Sequence, residues 1–288
     1  MNKKTKGLII LLFSYIGSFS IGLASYLLLS DYITPIWNLL IADVIATIYI
    51  WIIGIFFKTA SIYDPYWSVQ TVFIYVSLMV GYKVINVGMI LYLACLMFWA
   101  IRLTYNFIRG FTDISYIDWR YAQIKEKTGK AYQFVSLLGI HLVPTIVVFF
   151  ASVPSFLYVI NNNDFSFLQL IGLVIMIIAT MLELISDNNM ATFKKVRTSK
   201  DEIINIGLWK YSRHPNYLGE ILFWYGVALV FIVNNLSLWY VIIGAVMNTL
   251  LFLFISIPLA ENHLKSYKSG FEQYKKKTRM LLPIKKGR

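Results

Sequence analysis

The chain has 288 residues, 26 Lys+Arg against 14 Asp+Glu for a formal net charge of +12, and 58% hydrophobic residues. Only 14% of it is charged, against roughly a quarter in soluble domains, and its mean hydropathy is +0.66. Too little polar surface remains for a nucleic-acid binder and too much apolar content for a disordered chain, which leaves a polytopic membrane protein whose charge is confined to loops and tails.

In chain order, the basic start Met1-Asn2-Lys3-Lys4-Thr5-Lys6 precedes an apolar stretch too long for a signal-peptide core, so it reads as a retained first span. A span needs about 20 mostly apolar residues. The sequence predicts spans over Leu8–Leu29, Ile36–Phe57, Tyr66–Tyr82, Val87–Ile108, Leu137–Ile160, Phe167–Ile185, Tyr217–Val233 and Leu238–Leu259, the last two split by a turn at Asn234-Asn235. With the N-terminus inside, residues 1–7, 58–65, 109–136, 186–216 and 260–288 are cytoplasmic and hold 24 of the 26 basic residues. Arg102 lies near the cytoplasmic end of the fourth span and Lys83 alone falls outside. This is the asymmetry expected of membrane insertion. The expectation is an all-α transmembrane bundle of about eight spans with both termini cytoplasmic, forming one domain over residues 1–288. Its partners are the bilayer and an apolar, lipid-like substrate, with no nucleic acid and no obligate protein partner. The Lys- and Ile-rich composition points to a bacterial inner membrane.

Cys95 is the single cysteine and the three histidines, His141, His214 and His263, are scattered, so neither a disulfide nor a metal site is expected. Ionisable groups within spans cost about 2.5–3.5 kcal/mol each and mark functional sites. Five lie at the cytoplasmic ends of spans: Arg102, Glu183, Asp187, Glu220 and Glu261. Snorkelling is the alternative for Arg102. Glu183 and Asp187 are one turn apart and share a helix face. Asp43, in the outer half of the second span, makes either an interhelical polar contact or part of a cavity.

The densest polar stretch runs from Gly207 to Glu220, Gly-Leu-Trp-Lys-Tyr-Ser-Arg-His-Pro-Asn-Tyr-Leu-Gly-Glu. Pro215 suits the first turn of a helix. Ser212, Arg213 and His214 then stand before a helix N-terminus, which favours an anion. Asn216 and Glu220 follow on one face. An ordinary basic loop entering a span supplies Arg213 and His214, but not Asn216 and Glu220.

This stretch resembles the signature of the DUF1295 family, membrane proteins related to the C-terminal domain of steroid 5-alpha-reductases. Other pieces match in order: Asp64-Pro65-Tyr66-Trp67, Arg102 to Asn106 with Arg109, Asp118-Trp119-Arg120-Tyr121, and Glu183 with Asp187. Pro258 to Glu261, Tyr274, Arg279 and Pro283 close the pattern, so the resemblance covers residues 64–283. It implies an NADPH-dependent reductase of a carbon–carbon double bond, the cofactor bound from the cytoplasmic side and the substrate entering laterally. Asp187, Arg213, Asn216, Tyr217 and Glu220 would line the cofactor site, with Arg102, Arg109 and Arg120 near its phosphates and Glu183, Tyr211, His214 and Glu261 completing it. Arginines grip phosphates bidentately. No Gly-x-Gly-x-x-Gly fingerprint is present, so a Rossmann domain does not hold the nucleotide.

Reduction also needs an electrophile that polarises the substrate. The steroid reductases use a tyrosine oriented by a carboxylate. Here Trp99 stands at the matching position, which leaves Asp64 as the acid and Tyr63, Tyr66 or Tyr105 as donors; Asp64, Tyr66 and Tyr105 form the expected catalytic set. The Arg-His-Pro-x-Tyr-x-Gly core also resembles isoprenylcysteine carboxyl methyltransferases and phospholipid methyltransferases, which bind S-adenosylmethionine. Those usually carry a Glu-Glu pair in the tail, where this chain reads Ala260-Glu261-Asn262-His263. A non-enzymatic lipid binder or transporter is the remaining alternative; no internal repeat favours it.

Overall fold

The computed structural model describes residues 1–234 and 236–284. Asn235 of the expected turn and the basic residues beyond 284 lie outside the described residues. The chain divides into two compact units, Met1–Phe165 and Ser166–Arg288; the sequence, read as one domain, carries no composition shift at that point.

In the first unit, α1 (Lys3–Leu29) and α2 (Pro35–Phe56) form an antiparallel pair. Small residues set their approach: Gly22 faces Ala46, and Ser18 donates to the Ala46 carbonyl at 2.9 Å. Pro35 begins α2, where its missing N–H costs nothing. Next come α3 (Tyr63–Tyr82) and α4 (Val87–Gly110). Asn86 caps α4 by accepting from the Met89 N–H at 2.9 Å, an N-cap bond worth about 1 kcal/mol. The polar segment that follows folds into a short helix that span counting did not foresee, α5 (Trp119–Thr128), capped by Asp118. Then α6 (Tyr132–Val135) continues through a π-helical stretch (Ser136–Leu142) into α7 (Val143–Ile160). Pro144 explains the widening. It lacks an N–H and its ring crowds the carbonyl four residues back, at Ile140, inside that stretch.

In the second unit, α8 (Gln169–Val196) runs well past the predicted end at Ile185. The apolar run stops there because Asp187, Asn188 and Asn189 follow, but Met190 and Phe193 pack into a small cluster with Ile204 and Trp209 and keep the chain helical. After a 3₁₀ turn (Gly207–Lys210), α9 (Pro215–Ile232) returns antiparallel to α8. A second 3₁₀ turn (Leu236–Ile242) leads into α10 (Ile243–Leu251), a π-helical stretch (Phe252–Ser256) and α11 (Ile257–Tyr267). Here Pro258 opens the helix at Phe254 as Pro144 does at Ile140. The short α12 (Phe271–Lys277) ends the described helices.

The protein is thus all-helical and membrane-spanning, with seven helical segments among the described residues long and apolar enough to cross a bilayer. The count falls short of the predicted eight because of α3. That helix forms, beginning three residues before its predicted start, but Asp64, Ser68, Gln70 and Thr71 lower its apolarity, and the last three of these are buried inside the unit.

Candidate functional site

In the second unit, α8 and α9 cross closely through glycines. A methyl group on Gly172 would stand 2.6 Å from the Val230 nitrogen and 2.7 Å from the Gly226 carbonyl oxygen. One on Gly219 would stand 2.3 Å from Glu183 Cγ. Close backbone approach through small residues is the usual way membrane helices associate. Here it brings Glu183 of α8 against the turn of α9 that carries Glu220. Glu183, Asp187 and Glu220 are all buried, and Glu220 accepts from the Trp224 indole N–H at 2.8 Å. One turn before Glu220, the Asn216 side-chain oxygen is buried without a partner among the described residues. Beside it the His214 and Tyr217 rings stack, 5.2 Å apart and 6° from parallel. Tyr211, expected with them, is partly exposed with the Lys210 ammonium over its ring.

Arg213, expected on a phosphate, makes its contacts within the protein. Its Nε donates to Glu261 Oε1 at 2.8 Å, and its Nη1 donates to the Thr278 carbonyl and, at 3.3 Å, to that of Lys275. His214 Nε2 meets the same Glu261 oxygen at 3.2 Å, and Lys275 Nζ meets the other at 2.9 Å. Burial lowers the pKa of His214, opposed by its bond to Glu261, so the neutral ring donates its Nε2–H to the carboxylate. Backbone bonds complete the clamp: the Arg213 N–H donates to Arg279 O at 2.9 Å and the His214 N–H to Met280 O at 3.1 Å. Tyr274 donates to the Trp209 carbonyl at 2.6 Å. The motif entering α9 therefore seats residues 274–280 of the tail. Lys275 and Thr278, which hold Glu261 and Arg213, were not foreseen. They belong to a basic tail that reads as solvated charge, and main-chain acceptors leave no signature in composition.

In the first unit the expected catalytic set does not converge. Asp64 Oδ1 accepts from the Tyr121 hydroxyl at 2.5 Å, with Arg120 Nη2 at 3.6 Å. Arg120 also donates from Nε to Asp118 at 2.7 Å, so it is held by two carboxylates. Tyr66 is fully buried and bonded to Ser18 at 2.9 Å. Tyr105 is exposed, with the Arg109 guanidinium 5.5 Å from its ring centre. The phenol partnered with Asp64 is thus Tyr121, in place of Tyr66 or Tyr105. Its signal lay in Asp118-Trp119-Arg120-Tyr121, where the arginine drew the attention. Arg102 is buried in α4, and Trp99, one turn before it, packs edge-on against Trp67 at 5.3 Å. A second buried network joins Thr47 and Tyr63 through the Thr145 hydroxyl, at 3.1 and 2.7 Å. No group of three or more His, Cys, Asp or Glu side chains among the described residues is arranged to hold a metal.

These features define a helical membrane protein with buried carboxylates on crossing helices and a tail clamped over the start of α9. The chain belongs to the DUF1295 family, described as proteins of unknown function, whose profile matches residues 50–278. It is also similar to an uncharacterised protein of Schizosaccharomyces pombe, 22% identical over 202 residues, which cover 61% of this chain and 58% of that protein. The chain therefore matches little more than half the length of that relative. No solved structure matches.

Proposed function

We propose that the protein is a membrane-embedded NADPH-dependent reductase of a carbon–carbon double bond in a lipid- or steroid-like substrate, taking its cofactor from the cytoplasmic side. The observation that carries this reading is the unpartnered, buried Asn216 oxygen at the first turn of α9, close in sequence to buried Glu220 and to the stacked His214 and Tyr217 rings. A buried acceptor without a donor costs about 1–3 kcal/mol. The amide and ribose hydroxyls of a nicotinamide nucleotide supply such donors, and Glu183, Asp187 and Glu220 accept more. Asn216, Tyr217 and Glu220 would hold the nucleoside part, with His214 stacked behind Tyr217. When bound, NADPH supplies a hydride.

Two further observations support the reading. Glu261 is held by Arg213, His214 and Lys275, so its charge serves the tail clamp, where a methyltransferase reading would assign it to the ammonium of S-adenosylmethionine. In the first unit the Asp64–Tyr121 pair has the form of a phenol oriented by a carboxylate, as polarising the substrate requires. The Tyr121 proton rests on its bond to Asp64, and the hydroxyl would have to turn from the carboxylate to give that proton to the substrate.

Titrating the full detergent-solubilised chain with NADPH and with S-adenosylmethionine tests the proposal. NADPH is expected to bind, and Asn216→Ala to weaken it about fivefold, the cost of one neutral hydrogen bond. Binding of the methyl donor alone overturns the reductase reading; binding of neither favours a lipid carrier. For the proton donor, Tyr121→Phe is expected to lower turnover about 100-fold or more, the usual contribution of a positioned acid, while NADPH binding persists. Full turnover in Tyr121→Phe would remove that tyrosine from the mechanism.

A further inference from the structure

We infer that the first unit contains a binding site for a phosphate monoester, with Trp51, His141, Lys58 and Lys125 as its partners. A cavity of about 70 Å³ lies between the end of α2 and the segment from α5 to the π-helical stretch before α7, and these four residues line it. One water needs about 10–15 Å³ of such space, so several oxygen-sized atoms fit. On one side α2 stops in a left-handed turn at Lys58 (φ 58°), closed by the Thr59 N–H donating to the Gly54 carbonyl at 2.9 Å. On the other, α5 supplies Lys125, whose ammonium lies 5.8 Å from the centre of the Tyr132 ring, and the π-helical stretch supplies His141.

The chemistry of the occupant follows from the lining. Two buried atoms have no partner among the described residues, Trp51 Nε1 and His141 Nε2. His141 is 1% exposed, and its Nδ1 donates to the Ser136 carbonyl at 2.9 Å. In the neutral ring Nε2 therefore keeps a lone pair and needs a proton from the occupant, whereas the Trp51 N–H needs an acceptor. At the mouth Lys58 and Lys125 are exposed, and neither has an ion-pair partner among the described residues. The occupant is then an anion with several acceptor oxygens that can still share a proton. A phosphate monoester is such a group, because its second proton leaves with a pKa of about 6. A carboxylate has given up its proton well below neutral pH, and a phosphodiester has none to give. Water would satisfy the two buried atoms but leave both ammonium groups without a counter-charge. Ile55, which also lines the cavity, is exposed, so apolar surface borders the site. A lipid with a monoester headgroup and free inorganic phosphate share this chemistry; only the lipid uses that border.

The test places the full chain in phosphatidylcholine nanodiscs carrying graded amounts of phosphatidate, a monoester, or phosphatidylmethanol, its diester. Native mass spectrometry counts the bound lipid, and calorimetry follows inorganic phosphate added to nanodiscs of phosphatidylcholine alone. Phosphatidate is expected to bind at least about fivefold more tightly than the diester, the worth of one hydrogen bond. Trp51→Phe, which removes only the N–H donor, is expected to weaken it about fivefold or more. Lys58→Gly is expected to weaken it similarly without lowering the melting temperature, since glycine takes a positive φ freely; it keeps the test open should Trp51→Phe fail to fold. Binding of inorganic phosphate with the same losses assigns the site to free phosphate, and binding of phosphatidate alone assigns it to a lipid. Equal affinity for the two lipids with no binding of inorganic phosphate, or affinities unchanged in both variants, overturns the inference and leaves water in the cavity. NADPH affinity that falls in step with phosphatidate affinity in these variants also overturns it, because the site would then hold the cofactor's own phosphate. The site does not rest on the reductase reading: a chain that binds phosphatidate selectively but no NADPH loses that reading and keeps this one.

Discussion

Glu261→Ala is expected to destabilise the protein by about 3–5 kcal/mol, the cost of stranding a buried charge, and to release the tail from the start of α9. Arg213 and Glu261 have side-chain exposures of only 8% and 9%. Removing the carboxylate leaves the guanidinium facing backbone carbonyls and its neighbour Lys275 without an anion. Arg213→Ala should cost as much by the converse route, since Glu261 would keep only His214, neutral through burial, and Lys275. The contrast that tests the argument is Lys275→Ala. Its side chain is 48% exposed and Glu261 would keep Arg213 and His214, so its melting temperature should fall far less than that of Glu261→Ala. Thermal unfolding of the purified protein, with limited proteolysis of residues 271–284 as a second readout, checks all three. If Glu261→Ala melted with the parent and its tail stayed protected, the clamp would be carried by the remaining bonds, those of Arg213 and His214 to main-chain carbonyls of the tail and of Tyr274 to Trp209.

The same residues show what the sequence made legible. The spans were readable because bilayer thickness demands long apolar runs, so α2, α4 and α9 fall within two residues of their predicted bounds, while α1 ends where predicted but begins five residues early, at Lys3. Polar segments were not readable in that way. The end of α8 and the whole of α5 depend on a few contacts, Phe193 with Trp209 and Asp118 with the Arg120 N–H, that no periodicity announces. In the candidate site, Pro215 and the acidic positions of α8 and α9 were legible because their cost in a membrane demands a reason. Partners were not. Arg213 faces a carboxylate 48 residues away, and Asp64 faces a tyrosine 57 residues away; pairings at such separation are set by the fold. Asp43 is the informative middle case. Its type marked it as expensive, while only the structure shows that it lines a small space among α2, α3 and α7.

The packing of α8 on α9 leads to the second large effect, in which a normally stabilising substitution reverses sign. Alanine is favoured over glycine in a helix interior by up to about 1 kcal/mol, so Gly81→Ala in α3, where an added methyl group meets nothing within 4 Å, should raise the melting temperature slightly. Gly172→Ala should lower it sharply. The new carbon would lie 2.6 Å from one backbone nitrogen and 2.7 Å from one backbone oxygen of α9, and backbone does not yield as a side chain does. The helices must separate, which costs about 3 kcal/mol if overpacking is representative, and every close contact along the crossing is loosened together. Gly219→Ala tests the same crossing at its polar end, where the obstacle is Glu183 Cγ at 2.3 Å and the Ala179 carbonyl at 2.8 Å. A flexible Glu183 side chain gives way more readily than a main chain, so this variant should unfold at a higher temperature than Gly172→Ala. It should nonetheless lose NADPH affinity, because the displaced carboxylate is one of the acceptors proposed for the nucleoside. Thermal melts and NADPH titrations of the three variants separate packing from binding. Equal melting of Gly172→Ala and Gly81→Ala would mean that α8 and α9 do not meet through glycine, and the approach of Glu183 to α9 would lose its physical basis.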